Sequence, residues 1–346
     1  EKDLKEVIEG EVRFDRVSRS LYATDASVYQ IVPQGVVIPR TQQDVITTLL
    51  ICRMHGVSIT ARGGGTSQAG QAIGEGIQLD FSKYMNAIIE FRPDDALVRV
   101  QPGIVLDELN AFLRPYHLQL PLDISTSNRA TVGGMIANNS AGTRSVVYGK
   151  TIDYVEQVQV VLADGSVVEL KEMDQDSLQE KCNQEDLEGR CYNMVRRLAD
   201  THSREIDRRY PKLLRRVGGY NLDEFVSPSS FNLSKIIVGS EGTLALVTEA
   251  TFRVVPIPPC RVLMVIQFHD LLESLAATPF ILTYQPSAIE LIDRFILDTT
   301  REKSEFLSLR SFLSDDPAAV LIVEFSGDTE ADLRLRVDAL ERDLKS

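Results

Sequence analysis

The sequence has few of the residues from which metal and cluster sites are built. Its 346 residues include four cysteines and four histidines, and they are scattered along the chain. No C-x-x-C pair occurs among Cys52, Cys182, Cys191 and Cys260, and no two histidines have metal-ligand spacing. We therefore expect neither a metal or iron–sulfur site made by this chain alone nor a secreted disulfide framework.

Long apolar runs are also missing. The most apolar stretches, residues 262–268 and 318–323, have only strand length, whereas a membrane span needs about 20 residues. The net charge is −13, and such a surface repels phosphate backbones, so nucleic-acid binding is not expected. The sequence opens on Glu1 without an initiator methionine or signal segment, which indicates a trimmed, cytoplasmic protein.

Hydrophobic periodicity predicts a mixed α and β organisation. Helices are expected at residues 42–55, 106–113 and within 174–216. Strands are expected at residues 57–60, 77–81, 87–91, 96–101, 154–162, 166–170, 236–238 and 244–255. Three prolines within residues 256–259 stop both element types and mark a domain boundary. Beyond it, the predicted order is a strand at 261–268, a helix at 289–299, a strand at 319–325 and a helix at 330–344.

A glycine-rich segment follows the strand predicted at residues 57–60. Residues 62–67 read RGGGTS, and adjacent glycines let a backbone turn sharply and present several N–H groups to one anion. The Rossmann pattern G-x-G-x-x-G fails because Gln68 stands at its last position. The P-loop pattern fails because Gln71 and Ala72 stand where it needs lysine and a hydroxyl. Alone, the segment is as typical of a tight turn as of a phosphate site.

Two further segments consist largely of small residues. Residues 130–142 read ATVGGMIANNSAG, which has fewer large apolar side chains than a core helix needs. Residues 238–244 read VGSEGTL and stand just before a predicted strand. Small residues let another molecule approach the backbone, and Thr131, Asn138 and Ser140 can hydrogen-bond to it. Several such surfaces in one chain predict a ligand as long as a dinucleotide.

In this combination the chain resembles the FAD-binding domain of the vanillyl-alcohol oxidase/p-cresol methylhydroxylase (PCMH) family. The resemblance runs from residue 36 to residue 255. It rests on the ordered motifs VIPRT (37–41), RGGGTS (62–67), QPG (101–103), TVGGMIAN (131–138) and GSEGTL (239–244). With VGGYNL at residues 217–222, the chain is most similar to the D-2-hydroxy acid dehydrogenase branch, which includes glycolate oxidase flavin subunits, D-lactate dehydrogenases and D-2-hydroxyglutarate dehydrogenases.

The resemblance implies an α+β fold. Residues 1–256 are expected to form the two-subdomain FAD-binding PCMH-type domain. Residues 257–346 are expected to begin an α+β cap of the FAD-linked oxidase C-terminal type. Because no strand returns after the last predicted helix, we expect this cap to be incomplete.

The resemblance also implies FAD contacts. Residues 63–67 are expected around the pyrophosphate, residues within 121–142 around the flavin and ribityl chain, and residues 241–247 along the facing wall. The implied cofactor-binding residues are Arg62, Gly63, Gly64, Gly65, Thr66, Ser67, Gln71, Pro121, Asp123, Thr131, Gly133, Gly134, Asn138, Ser140, Gly142, Glu241, Gly242 and Val247. Some relatives attach FAD through a histidine at the glycine loop. No histidine lies near this loop, so we expect non-covalent FAD.

By the same resemblance, the parent enzyme oxidises a D-2-hydroxy acid of the lactate, glycolate or 2-hydroxyglutarate type by hydride transfer to the flavin. The branch's anchoring arginine and histidine-rich motif lie later in the cap than this sequence reaches. The catalytic residues are therefore unknown, and this segment alone is expected to oxidise its substrate poorly. The electron acceptor is expected to be an iron–sulfur domain or a quinone, with any cluster in a downstream region. In the full-length protein, a peripheral position at the inner membrane is an open alternative.

Two other functions remain open. One is a non-oxidising or reductive flavoenzyme on the same fold, such as an alkylglycerone-phosphate synthase or an enolpyruvyl-sugar reductase, since the synthase shares part of these motifs. The other is a non-catalytic FAD-binding module of a larger complex.

Overall fold

The computed structural model describes residues 1–226, 230–301 and 303–345. Its helices are α1 (Lys2–Val7), α2 (Arg16–Leu21), α3 (Gln42–Met54), α4 (Leu106–Leu113), α5 (Val132–Asn138), α6 (Ser145–Tyr148), α7 (Gln175–Cys182), α8 (Leu187–Arg209), α9 (Ser234–Ile237), α10 (Leu271–Leu282), α11 (Arg294–Arg301), α12 (Ser304–Leu307) and α13 (Glu330–Leu344). Its strands are β1 (Glu11–Arg13), β2 (Gly35–Ile38), β3 (Ile59–Arg62), β4 (Ile77–Asp80), β5 (Ile88–Arg92), β6 (Leu97–Val100), β7 (Leu118–Gln119), β8 (Val155–Val161), β9 (Val167–Met173), β10 (Phe231–Asn232), β11 (Leu246–Arg253), β12 (Val255–Pro256), β13 (Cys260–Phe268), β14 (Ala288–Asp293) and β15 (Ala319–Gly327).

The described chain divides into two units. The first comprises residues 1–140 and 150–255, and the second comprises residues 141–149 and 256–346. Both units combine helices with sheets, so the predicted α+β class is confirmed.

A four-stranded sheet of the first unit carries the glycine loop. Its order is β1-β2-β4-β3, in which β2, β4 and β3 are parallel and β1 is antiparallel to β2. Helix α3 follows β2, and its Val45 and Cys52 share a buried core with Val37 of β2. Arg62 ends β3 in register with Asp80 at the end of β4, so the glycine loop leaves the sheet at the edge where both strands end.

Asp44 joins three segments in the first turn of α3. Its carboxylate is 2% exposed and accepts backbone N–H groups from Glu9 (2.9 Å), Gly10 (3.0 Å) and Arg40 (2.8 Å). Thr41 caps the same helix by accepting the Asp44 N–H at 3.1 Å. A buried carboxylate is stable when its oxygens are satisfied in this way, so Asp44 fixes the entry to α3.

The second sheet of the first unit is antiparallel and has the order β10-β9-β8-β11-β6-β5. Strand β11 lies inside it, pairing Leu246 with Val161 of β8 and Ala250 with Val100 of β6. The GSEGTL motif immediately precedes β11, so this sheet fixes the position of the third glycine segment.

In the second unit, an antiparallel sheet has the order β13-β15-β14. Leu321, Val323 and Phe325 of β15 form a core with Leu333 and Leu340 of α13. Within the same unit, Arg144 donates two hydrogen bonds to Glu324, at 2.6 and 2.7 Å. This bidentate pair attaches the segment 141–149 to the sheet.

Most of the long predicted elements are confirmed. Helices were expected at residues 42–55, 106–113 and 330–344, and they occupy Gln42–Met54, Leu106–Leu113 and Glu330–Leu344. The strands around the glycine loop are present, although the first begins at Ile59 instead of residue 57.

Two predictions are wrong. The helix expected at residues 289–299 is strand β14 up to Asp293, and the helix starts only at Arg294. The strand expected at residues 236–238 is the end of the short helix α9. Both errors concern short apolar runs, whose pattern fits either element until pairing with a neighbour decides it. For residues 288–293 that neighbour is β15.

No helix within the described ranges has both the length and the apolar composition needed to cross a membrane.

Replacement of Asp44 tests its role in the first unit. Asp44→Asn removes the charge and leaves one oxygen for three N–H donors, so the free energy of unfolding is expected to fall by about 2–3 kcal/mol. Asp176→Asn is the matched control, since Asp176 is an exposed acid in the first turn of α7. Urea denaturation followed by circular dichroism compares the two. Equal losses in both variants would contradict the assigned role.

Candidate functional site

The middle of the small-residue segment forms the helix α5, although its composition is unlike that of a core helix. Thr131 caps α5 by accepting the N–H of Gly134 at 3.4 Å. Three apolar residues anchor the helix: Val132, Met135 and Ile136. Gly134 and Asn138 lie one turn apart and are exposed. The helix therefore has one packed face and one face of small and polar residues.

The glycine loop packs against the residues that begin α5. A Cβ atom on Gly63 would lie 2.0 Å from the Thr131 hydroxyl oxygen, and one on Gly64 would lie 2.1 Å from the Arg129 carbonyl oxygen. Real side chains do not make such short contacts. The chain itself therefore requires glycine at both positions.

Gly65 is constrained by a different neighbour. Its φ is +63°, in the left-handed region, and a Cβ there would lie 2.6 Å from the Arg62 guanidinium. That guanidinium donates to the carbonyl oxygens of Ala72 at 2.9 Å and Thr24 at 2.8 Å. Arg62 thus serves the loop's own conformation in the structure.

The loop carries unused hydrogen-bond donors. Among the described residues, no acceptor receives the backbone N–H groups of Gly63, Gly64, Gly65, Thr66 or Ser67. Successive free N–H groups in a glycine-rich turn are typical of a phosphate-binding loop. The Ser67 hydroxyl donates to the side-chain oxygen of Gln71, which closes the far end of the loop.

The first N–H groups of α5, in contrast, are already used. Val132 donates to the Ile104 carbonyl at 3.0 Å, and Gly133 donates to the Pro102 carbonyl at 2.8 Å. A Cβ on Gly133 would lie 2.7 Å from the Pro102 side chain, so the QPG and TVGG motifs require each other. The free donors therefore belong to the glycine loop and not to the start of the helix.

The third glycine segment meets the other end of α5. Gly239 donates its N–H to the Ile136 carbonyl at 2.8 Å, and Glu241 donates to the Ala137 carbonyl at 2.9 Å. Glu241 and Gly242 follow in left-handed conformations and are exposed. All three predicted small-residue surfaces thus meet on α5, within the first unit.

Asn139 was missed by the sequence predictions, which named its neighbour Asn138. It ends α5 in the left-handed conformation (φ 53°), is completely buried, and accepts the Ile152 N–H at 3.0 Å. Its amide nitrogen has no partner among the described residues. Asparagine tolerates left-handed backbone, so an asparagine after a small-residue helix is the available sequence signal.

Of the other predicted residues, all but Gly142 belong to the first unit. Ser140 accepts the Thr151 N–H at 3.0 Å and donates its hydroxyl to Asn138 at 3.1 Å. Pro121 is buried and Asp123 half-buried on the segment that leads from β7 to α5. Val247 is half-buried on β11. Gly142 belongs to the second unit, so the structure does not group it with these residues.

At two glycines, no described neighbour would clash with a side chain, so the described residues do not explain why glycine stands there. A Cβ on Gly218 would meet no described atom within 4 Å, and its backbone is not left-handed. A Cβ on exposed Gly134 would contact only the Thr131 hydroxyl, at an ordinary 3.5 Å. Glycine in a helix costs stability, so Gly134 indicates a surface of α5 that another molecule approaches closely.

A cavity of about 550 Å³ lies beside the GSEGTL motif. Residues 242–246 form part of its wall, and Leu49, Val57 and Ile59 give it apolar surface. The side chains of Arg53 and Arg190 also line it. Its volume is within the range of small-molecule sites, which is about 300–1,000 Å³.

The chain is similar to known FAD-dependent proteins along most of its length. Residues 33–171 match the FAD binding domain family, and residues 257–346 match the C-terminal domain of FAD linked oxidases. D-2-hydroxyglutarate dehydrogenase of Pseudomonas putida is 35% identical over 97% of this chain and 34% of the relative. The Escherichia coli enzyme of the same name is 35% identical over 96% of this chain and 33% of its own length. The chain thus spans about a third of the dehydrogenases that it matches.

Two further comparisons extend this similarity. The Bacillus subtilis protein named glycolate oxidase subunit GlcD is 28% identical over 95% of this chain and 60% of the relative. A solved structure of alkyldihydroxyacetonephosphate synthase superposes with a TM-score of 0.70 at 18% identity, covering 99% of this chain and 59% of the synthase. The synthase shows the fold, and the two family matches show the cofactor, FAD. The chain belongs to the PCMH-type family of FAD-linked oxidases.

Proposed function

We propose that the first unit binds FAD on the surface formed by the glycine loop, α5 and residues 239–242, with the pyrophosphate on the loop's free N–H groups. The carrying observation is that residues 63–67 leave five successive N–H groups unused beside α5. Adjacent free N–H groups suit a diphosphate, whose oxygens accept hydrogen bonds. Seventeen of the 18 cofactor-binding residues implied by the sequence belong to this proposal, with Arg62 and Thr131 acting through the loop's conformation; Gly142 lies in the second unit and stays a sequence prediction.

The open glycines support the fit of the remaining cofactor. Among the residues that the structure describes, no neighbour would clash with a Cβ at Gly134 or Gly218, so the backbone is accessible at both. Asn138 follows exposed Gly134 by one helical turn, and Ser140 donates its hydroxyl to Asn138. When bound, FAD supplies a two-electron acceptor, and the chain's residues hold and orient it.

The cavity beside residues 242–246 is the place that we propose for the adenosine part. Its apolar wall suits an adenine ring, and its volume of about 550 Å³ exceeds what that ring needs. Gly242 lines this cavity, and Glu241 and Val247 are chain neighbours of residues that line it. Because no histidine lies at the glycine loop, we propose non-covalent attachment.

We further propose that the whole protein oxidises a D-2-hydroxy acid, and that D-2-hydroxyglutarate is the first candidate. Support comes from the 35% identity to two D-2-hydroxyglutarate dehydrogenases over nearly the full chain. The groups that anchor the substrate and remove its hydroxyl proton are proposed to lie in the remaining two thirds of such a protein. The electron acceptor, an iron–sulfur domain or a quinone, would act there too.

The alternative of a synthase-type reaction has weaker support. Its solved representative is 18% identical, which speaks for the fold only. A non-catalytic FAD-binding module remains distinguishable by experiment, since it would hold oxidised flavin that no hydroxy acid reduces.

Gly134→Ala tests the cofactor surface, because it is expected to raise the stability of the apoprotein and to lower its affinity for FAD. The methyl group meets no clash within the chain and improves helix propensity, so apoprotein stability is expected to rise by about 0.5–1 kcal/mol. FAD affinity, measured by titration of the apoprotein, is expected to fall at least tenfold.

Acid precipitation is expected to release the flavin from the unchanged protein, since no covalent bond holds it.

Thr201→Ala is the matched control for this variant. Thr201 is exposed within α8, so alanine there also raises helix propensity without approaching the site. Its FAD affinity is expected to stay within twofold of the unchanged protein. Unaltered FAD affinity in Gly134→Ala would show that this face of α5 does not meet the cofactor.

Anaerobic reduction of the flavin tests the proposed activity. In the full-length protein, D-2-hydroxyglutarate is expected to bleach the oxidised flavin band at about 450 nm. D-lactate and glycolate are tested in the same way as the other candidate substrates. L-2-hydroxyglutarate is the stereochemical control and is expected to leave the band unchanged. A flavin band that none of the D-hydroxy acids bleaches would rule out the dehydrogenase function and leave the FAD-binding module.

A further inference from the structure

Arg62 joins segments on both sides of the glycine loop. It ends β3, immediately before Gly63. One guanidinium nitrogen donates to the Ala72 carbonyl at 2.9 Å, beyond the loop, and the other donates to the Thr24 carbonyl at 2.8 Å, before β2. A single side chain therefore connects the start of the loop with the chain that follows it and with an earlier segment of the unit.

Tyr22 and Asp80 support this side chain. The guanidinium carbon lies 5.2 Å from the centre of the Tyr22 ring. The Tyr22 hydroxyl donates to Asp80 at 2.5 Å, and Asp80 also accepts the Ser82 N–H at 2.8 Å. Burial lowers the pKa of Arg62 and raises the pKa of Tyr22, so placing both groups here costs desolvation free energy.

The Arg62 guanidinium lies so close to Gly65 that position 65 has no room for a side chain. The Cβ that any other residue would carry at position 65 would lie 2.6 Å from the Arg62 guanidinium. In addition, the Gly65 carbonyl accepts the Ala26 N–H at 3.1 Å. The third glycine of RGGGTS is thus fitted to the arginine that opens the motif.

We propose that Arg62 is a positioning residue for the diphosphate loop, which holds residues 63–67 with their N–H groups free and does not itself contact the phosphates. This inference rests on the proposed binding of FAD. The hydrogen-bond acceptors of Arg62 within the described residues are carbonyl oxygens on two different segments. Only a forked, planar donor can bridge them, whereas a lysine provides the same charge from one point.

The test compares Arg62→Lys and Arg62→Gln in the apoprotein, using FAD, ADP and adenosine as ligands in competition titrations. Both variants are expected to weaken FAD and ADP binding at least tenfold, because either change breaks the bridge. Adenosine, which lacks phosphates, is expected to bind within twofold of the unchanged protein. Arg19→Lys is the matched control, since Arg19 is half-buried and donates to the Pro33 carbonyl at 2.6 Å.

The outcomes separate this role from the alternatives. FAD affinity of Arg62→Lys within threefold of the unchanged protein would overturn the proposal, because charge alone would then suffice. Equal weakening of ADP and adenosine would also overturn it, because the substitution would then act on the fold in general. An unchanged protein that binds neither FAD nor ADP would overturn the proposed cofactor site together with this role.

Gly65→Asn keeps the proposal testable if the Arg62 variants do not fold. Asparagine tolerates left-handed backbone, so its side chain displaces the guanidinium without removing the charge. The expected loss of FAD and ADP affinity is again at least tenfold, with adenosine binding retained. Unchanged FAD affinity in a folded Gly65→Asn protein would overturn the positioning role.

Discussion

The close approach of the glycine loop to the start of α5 is the constraint on which the rest of the site depends. Gly63 and Gly64 leave no room for a side chain against Thr131 and Arg129. This contact brings the edge of the parallel sheet to the helix. Because the helix is then held at its other end by the segment around Gly239, all three glycine segments are fixed relative to one backbone.

The three adjacent glycines of the loop have different physical origins, which the sequence does not distinguish. Two are required by contacts with the residues that begin α5, and Gly65 is required by its left-handed backbone and by Arg62. Gly134 is the strongest indication of a bound molecule among the glycines of the site, because no described residue would clash with a side chain there. Substitutions in the loop disturb the fold and the ligand surface together, whereas a substitution of Gly134 changes the ligand surface without disturbing the fold.

Sequence patterns predicted α3 and α13, whose helical period repeats over many residues, but they did not predict the 12-residue helix α10. They failed at residues 288–293, where four apolar side chains fit a strand or a helix until β15 supplies a partner. The motifs located the three surfaces but not the functions of their side chains. The bridging role of Arg62 and the buried position of Asn139 depend on tertiary contacts, and no local pattern contains those contacts.

We propose that FAD binds on the surface that these three segments form around α5. Hydrogen–deuterium exchange of the backbone N–H groups, measured with and without FAD, tests it most directly. We expect FAD to slow exchange most strongly at residues 63–67, because those N–H groups have no partner within the described chain. Slower exchange is also expected at residues 242–246. Protection confined to other segments, with unchanged exchange at residues 63–67, would contradict the account.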